Sequence, residues 1–177
     1  MKLLIASDIH GSIKYAKKIT ETFGKINADM IVLLGDILYH GPRNDLPEEY
    51  APKEVVKLLN DYADKIICMR GNCDAYVDSM VLDFGLCDDL SVIFDGKNKI
   101  YLSHGHIYNT ENFPPIAEGS VFLYGHTHIA KDETIRGVRC MNPGSISLPK
   151  NNQVNTYMIY DDGNFTWYDM EDNEVGY

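Results

Sequence analysis

Five short stretches of the chain combine residue types that can bind metal: Asp8-Ile9-His10-Gly11, Gly35-Asp36, Gly71-Asn72, His104-Gly105-His106 and Gly125-His126-Thr127-His128. Five of the six histidines fall in them, and no histidine lies beyond residue 128. Imidazole, carboxylate and amide oxygen together suit Mn²⁺, Fe or Zn²⁺. A donor set without thiolates argues against a Cys-rich structural zinc site. Any one of these histidines is more simply a satisfied core or surface side chain. The five clusters together are hard to attribute to coincidence, because each stands in the same place relative to a strand-like run.

Those runs are "LLIA", "MIVLL", "KIICM", "KIYLS" and "VFLY", each short, apolar and closed by glycine with polar residues. Such runs read as buried strands, and the glycines end them in tight turns. Between the first two, residues 12–25 have helical spacing, with Ile13, Ala16, Ile19 and Phe23 on one face and Ser12 in the N-cap position. A second helix is expected over residues 52–63, with Pro52 in its first turn and Val55, Val56, Leu58 and Leu59 as apolar cover. Strand, helix, strand, helix, strand is the pattern of a parallel α/β sheet. Later, hairpins are expected with turns near Asp95-Gly96, at Arg136-Gly137 and at Asp161-Asp162-Gly163. The N-terminal half therefore reads as βαβ and the C-terminal half as mainly antiparallel. The expectation is an α/β protein of two packed mixed β-sheets flanked by helices, in one domain covering 1–177. In open α/β sheets ligands bind beyond the carboxyl ends of the strands, where all five clusters lie.

The bulk properties agree with this reading. A chain of 177 residues with 45% hydrophobic and 24% charged residues is ample for a buried core. No apolar run approaches the ~20 residues of a membrane helix. The start "MKLLIASDIHG" does not read as a signal peptide, so a cytoplasmic location is expected. The formal charge of −10 argues against an extensive nucleic-acid surface. The cysteines Cys68, Cys73, Cys87 and Cys140 form no C-x-x-C pair and read as free thiols. Homo-oligomerisation is left open. The longest irregular connection, residues 37–51, carries His40, Arg43 and Asn44, candidate substrate contacts. Arg43 suits phosphate geometry, although a solvated loop arginine is the ordinary reading.

In order, the motifs D-x-H, G-D, G-N, H and G-H-x-H resemble the calcineurin-like metallophosphoesterase superfamily. "SDIHGS", "GDILYHGPRN", "RGNCD", "SHGH", "YGHTH" and "NPGSISLPK" are similar to its small bacterial phosphodiesterases of the YfcE type. The resemblance implies a four-layer αββα sandwich and two divalent ions, Mn²⁺ first, with Fe, Zn²⁺ or Ni²⁺ as alternatives. It places Asp8, His10 and His128 on one ion, Asn72, His104 and His126 on the other, and Asp36 between them. The implied reaction is hydrolysis of a small phosphodiester by metal-bound hydroxide, in the manner of two-metal in-line displacement. Phosphomonoester hydrolysis, or a noncatalytic assembly role such as that of the superfamily's retromer subunit, are the alternatives. His106 is a candidate proton donor or phosphate contact, or a hydrogen-bonding neighbour of the ligands. Asp74 is a candidate for orienting a histidine or a water, or for capping a turn. Many larger relatives have histidine where this chain has Cys73, and that histidine assists the leaving group. Cys73 thus departs from the broad pattern, although it matches the YfcE-type subgroup.

Overall fold

A computed structural model describes residues 1–177. In chain order the elements are β1 (Lys2–Ala6), α1 (Ile13–Ile26), β2 (Met30–Leu33), α2 (Pro52–Asn60), β3 (Ile66–Met69), β4 (Leu86–Cys87), β5 (Ser91–Asp95), β6 (Asn98–Leu102), β7 (Val121–Leu123), β8 (Ala130–Ile135), β9 (Val138–Pro143), β10 (Tyr157–Asp161), β11 (Asn164–Tyr168) and β12 (Glu174–Val175). They form a seven-stranded sheet, β12-β11-β10-β1-β2-β3-β4, and a five-stranded sheet, β5-β6-β7-β9-β8.

The uninterrupted apolar character of β1 follows from its position. Successive side chains point to opposite faces of a sheet, and both faces here are covered. Leu3 and Ile5 enter the core between the two sheets, beside Ile100, Leu102 and Met141. Leu4 and Ala6 enter a second core on the other face, beneath Ile13, Ala16 and Ile19 of α1 and Val55 and Leu59 of α2. β2 and the residue after it divide in the same way, Val32 and Leu34 to one side and Ile31 and Leu33 to the other. Burial of a side chain such as Ile19 contributes about 1.5–3 kcal/mol. The strands β1 to β4 are mutually parallel, which directs the turns after β1, β2 and β3 to one edge. No helix is long and apolar enough to cross a membrane.

The two mixed sheets, the helices and the three hairpins are as the sequence leads one to expect, with three differences. The Ser12 side chain does not cap α1; its hydroxyl donates to the Glu48 carbonyl and pins the 37–51 connection instead. α2 stops at Asn60, and a separate 3-10 turn covers Ala63–Lys65. The C-terminal half is mainly antiparallel, as expected, but within the second sheet β6–β7 and β7–β9 pair in parallel. The third hairpin, β10–β11, joins the first sheet by antiparallel pairing of β10 with β1. Both helices cover the first sheet. The outer face of the second, at Phe122, Tyr124, Val138 and Cys140, is covered by Tyr108, Phe113 and Ile116 from irregular chain.

Candidate metal centre

The five clusters meet at the edge where β1, β2, β3, β6 and β7 end. Backbone pairing continues beyond the strands and fixes the turns: His10 N–H donates to the Asp36 carbonyl at 2.9 Å and Gly11 N–H to that of Ile37 at 2.8 Å. From the second sheet, Gly125 N–H donates to the His104 carbonyl at 2.7 Å. β9 and the segment after it support both groups. Ser145 and Ser147 donate their hydroxyls to the Asp8 carbonyl at 2.9 and 2.7 Å. Asn142 donates to the Gly125 carbonyl at 2.8 Å and accepts the buried Trp167 indole N–H at 2.9 Å.

Asp8, His10, Asp36, His126 and His128 all have left-handed backbone, with φ between 51° and 66°. Aspartate and histidine tolerate this region better than most residues, yet each such site costs of order 1–3 kcal/mol. The turns aim these side chains inward rather than along the strands. Gly71 permits the close approach of the β2 and β3 turns: a Cβ there would overlap Asp36 Oδ1.

The histidine protonation pattern follows from hydrogen bonding. His10 Nδ1 lies 2.8 Å from the Tyr39 carbonyl, His104 Nδ1 2.7 Å from that of Leu34, and His128 Nδ1 2.6 Å from that of Leu148. A carbonyl only accepts, so each Nδ1 carries a proton, and in the neutral ring each Nε2 presents a lone pair. Those three lone pairs converge. His10 and His128 Nε2 are 3.1 Å apart, His128 Nε2 is 3.3 Å from Asp8 Oδ1, and His104 Nε2 is 3.4 Å from Asp36 Oδ1 and 3.1 Å from Asn72 Oδ1. Asp8 Oδ1 is buried without a hydrogen-bond partner. Lone pairs gathered this closely repel one another unless a cation lies among them, so the residues fit a divalent metal.

The electrostatics agree. Burial opposes ionisation of Asp8 and Asp36, but His128 and His104 beside them hold both carboxyls below the usual range. Burial likewise opposes protonation of His104, yet Asp36 and Asp8 raise it to about 9, so without a cation its Nε2 holds a proton at neutral pH, which metal binding would displace. Two buried carboxylates thus call for positive charge. His126 is pushed down to about 4 by burial and by His104, which leaves its ring neutral and able to ligate. Its backbone N–H donates to Asp8 Oδ2 at 3.2 Å.

A cavity of about 350 Å³ opens over these groups; Arg43, Asn44, Cys73, Thr127 and Lys150 line it together with Asp36, Asn72, His126 and His128. Of the proposed substrate contacts, Arg43 and Asn44 face the cavity. His40 does not; its ring packs edge-on against Tyr39 and Tyr50. His106 lies outside the cavity wall, with its ring 5.3 Å from that of His104 and its Nδ1 unpartnered. Asp74 orients no histidine: its carboxylate accepts three backbone N–H groups, of Asp36, Ile37 and Gly71. It therefore follows the turn-capping alternative. Cys73 Sγ lies within 4.8 Å of donor atoms of His10 and Asp36. Burial, with Asp36 beside it, pushes this thiol up to about 12. Lys150 and Thr127 are cavity residues that reading motif by motif does not single out. Thr127 sits between two candidate ligands, which is the signal that finds it; Lys150 carries no local signal.

Residues 1–164 match the calcineurin-like phosphoesterase superfamily domain. The chain belongs to this superfamily. It is 42% identical to phosphodiesterase YfcE of Escherichia coli K12, over 99% of this chain and 89% of that one. It is 31% identical to the probable metallophosphoesterase YsnB of Bacillus subtilis, over 99% and 95%. The solved structure of YfcE, an E. coli phosphoesterase, superimposes with a TM-score of 0.96 at 40% identity and covers 99% of this chain and 97% of that one.

Proposed function

We propose that this chain is a metal-dependent phosphodiesterase with a dinuclear centre, acting on a small phosphodiester within a single functional unit. The observation that carries the reading is the convergence of the Nε2 atoms of His10, His104 and His128 on two buried carboxylates, with the Nδ1 proton of each of these three held by a backbone carbonyl. Asp8, His10 and His128 would hold one cation, Asn72, His104 and His126 the other, and Asp36 would bridge. The donor set suits Mn²⁺ foremost, with Fe, Zn²⁺ and Ni²⁺ as alternatives. When bound, such a pair supplies a nucleophilic water of lowered pKa and offsets charge on the phosphoryl oxygens of an in-line displacement.

The chain's own residues position and exclude. The three carbonyls fix the imidazole rings, and the serine pair fixes Asp8 through its carbonyl. Cys73, whose thiol stays protonated at neutral pH, serves neither as a thiolate nucleophile nor as an efficient acid. No histidine outside the proposed ligand set lines the cavity to protonate a departing alkoxide, so diesters with acidic leaving groups are the favoured substrates. His106 is the remaining candidate donor and would need to turn toward the cavity.

The test is chelator-stripped protein reconstituted with Mn²⁺ and assayed on an aryl phosphodiester, an aryl phosphomonoester and a carboxylic ester. Preferential diester hydrolysis supports the reading. Full metal loading with no hydrolysis of any of them overturns it in favour of the assembly role.

A further inference from the structure

Arg43 and Lys150 share the cavity wall, and Asp36 is the only carboxylate there. Eight of the sixteen lysines and arginines, among them Lys2, Lys18, Arg70 and Arg139, lie within ion-pair distance of a carboxylate. Arg43 and Lys150 are among the eight without a carboxylate partner, and they are the two of those eight that line this cavity, in a protein with a net charge of −10.

Both are carried by turns anchored to the centre. Lys150 N–H donates to the His128 carbonyl at 3.1 Å, and Gln153 N–H donates to the Lys150 carbonyl at 3.1 Å. The Gln153 amide then clips onto both backbone groups of Ala130. On the other turn, Asn44 donates to the His40 carbonyl at 2.8 Å, and a Cβ on Gly41 would come within 3.0 Å of Cys73 Sγ. The Arg43 turn thus packs directly over Cys73.

Charge counting shows what these two cations are for, and the count rests on the dinuclear reading above. Two divalent ions bring four positive charges, and Asp8 with Asp36 removes two. The remaining two already balance a phosphodiester's single charge and the second charge that develops as it reacts. Arg43 and Lys150 are surplus to the scissile group. We propose that they form a second anion subsite, and that the substrate is a phosphodiester whose retained arm carries a further anionic group, a carboxylate or a phosphate. An ammonium and a guanidinium on the wall of one cavity suit such a group through charge-assisted hydrogen bonds. Without that pair, the protein's net negative charge would disfavour a multiply charged substrate.

Three diesters with one leaving group test this: 4-nitrophenyl propyl phosphate, 4-nitrophenyl 2-carboxyethyl phosphate and 4-nitrophenyl 2-phosphonoethyl phosphate. The wild-type protein with Mn²⁺ should prefer an anionic arm over propyl by about tenfold in kcat/KM, less at high salt. The carboxylate and phosphonate arms tell which anion it takes. Lys150→Met and Arg43→Met should each bring that ratio toward one, whereas Lys150→Arg should retain it. Calorimetry with the matching 4-nitrobenzylphosphonate monoesters, which lack the scissile oxygen, reads the same preference without turnover. A wild-type ratio near one, or equal losses on propyl and anionic substrates in the variants, overturns the subsite while leaving the phosphodiesterase reading intact. Preferential binding of the anionic phosphonates without hydrolysis of any diester supports the subsite and overturns the phosphodiesterase reading.

Discussion

The Asp74 carboxylate accepts the backbone N–H of Asp36 at 2.8 Å, and through its two oxygens it also accepts those of Gly71 at 2.7 Å and Ile37 at 2.8 Å. One buried side chain therefore ties the turn after β2 to the turn after β3. It fixes the residue proposed to lie between the two ions. Asp74→Ala would strand three buried N–H groups and should cost about 3–5 kcal/mol in urea unfolding at neutral pH. The variant that still folds should bind metal roughly 10–100-fold more weakly, the usual effect of losing a group that orients ligands. A cost below about 1 kcal/mol would mean that water satisfies these amides.

Ser145 and Ser147 both donate to the Asp8 carbonyl, and Ser145 Oγ also accepts the N–H groups of Ser147 and Leu148. Ser147→Ala should cost only about 1 kcal/mol, because Ser145 still satisfies the carbonyl. Adding Ser145→Ala should cost more than the sum of the single changes, since the carbonyl is then left unpaired. A double-mutant cycle in urea measures the coupling, and strict additivity would refute the shared role.

How far the sequence reveals this site depends on the residue. Asp8, His10, His126 and His128 are legible because glycine-ended strands put them at one sheet edge whatever the rest of the chain does. The parallel pairing of β6 with β7 is not, because the connection between them has no helical periodicity to mark a crossover. β10 joins β1 across most of the chain length, a pairing that no local pattern specifies. Lys150 reaches the cavity only because left-handed Asn151 and Asn152 turn the chain back beside His128. His40 shares its loop with Arg43, but packing against Tyr50 turns it from the cavity.

Cys73→Ser should keep kcat/KM within roughly fivefold of wild type, whereas loss of a true general acid would cost 10²–10⁴. With chemistry rate-limiting, the rate should also fall steeply as the leaving group becomes more basic. A flat dependence on leaving-group pKa would show that a proton donor operates after all.

Far from the centre, Lys18, Lys25 and the Tyr157 hydroxyl surround Asp172 and hold its carboxyl well below the usual range. A depressed carboxyl pKa stabilises the fold above its unfolded value of ~4 and loses that contribution as pH falls below it. Asp172→Asn should therefore cost about 1 kcal/mol at pH 7, where buried Tyr157 loses its ionised acceptor. The gap between variant and wild type should narrow as pH drops below ~4. Denaturant unfolding across that range checks the sign, and a gap that widens on acidification would contradict it.

The claim that Asp36 joins two ions is tested most directly by metal content. Wild-type protein reconstituted with Mn²⁺ and freed of excess should carry two ions per chain by mass spectrometry. Asp36→Asn should carry fewer than one and lose nearly all diester hydrolysis. Wild-type protein that saturates at one ion, or an Asp36→Asn variant with undiminished metal and activity, would contradict the account.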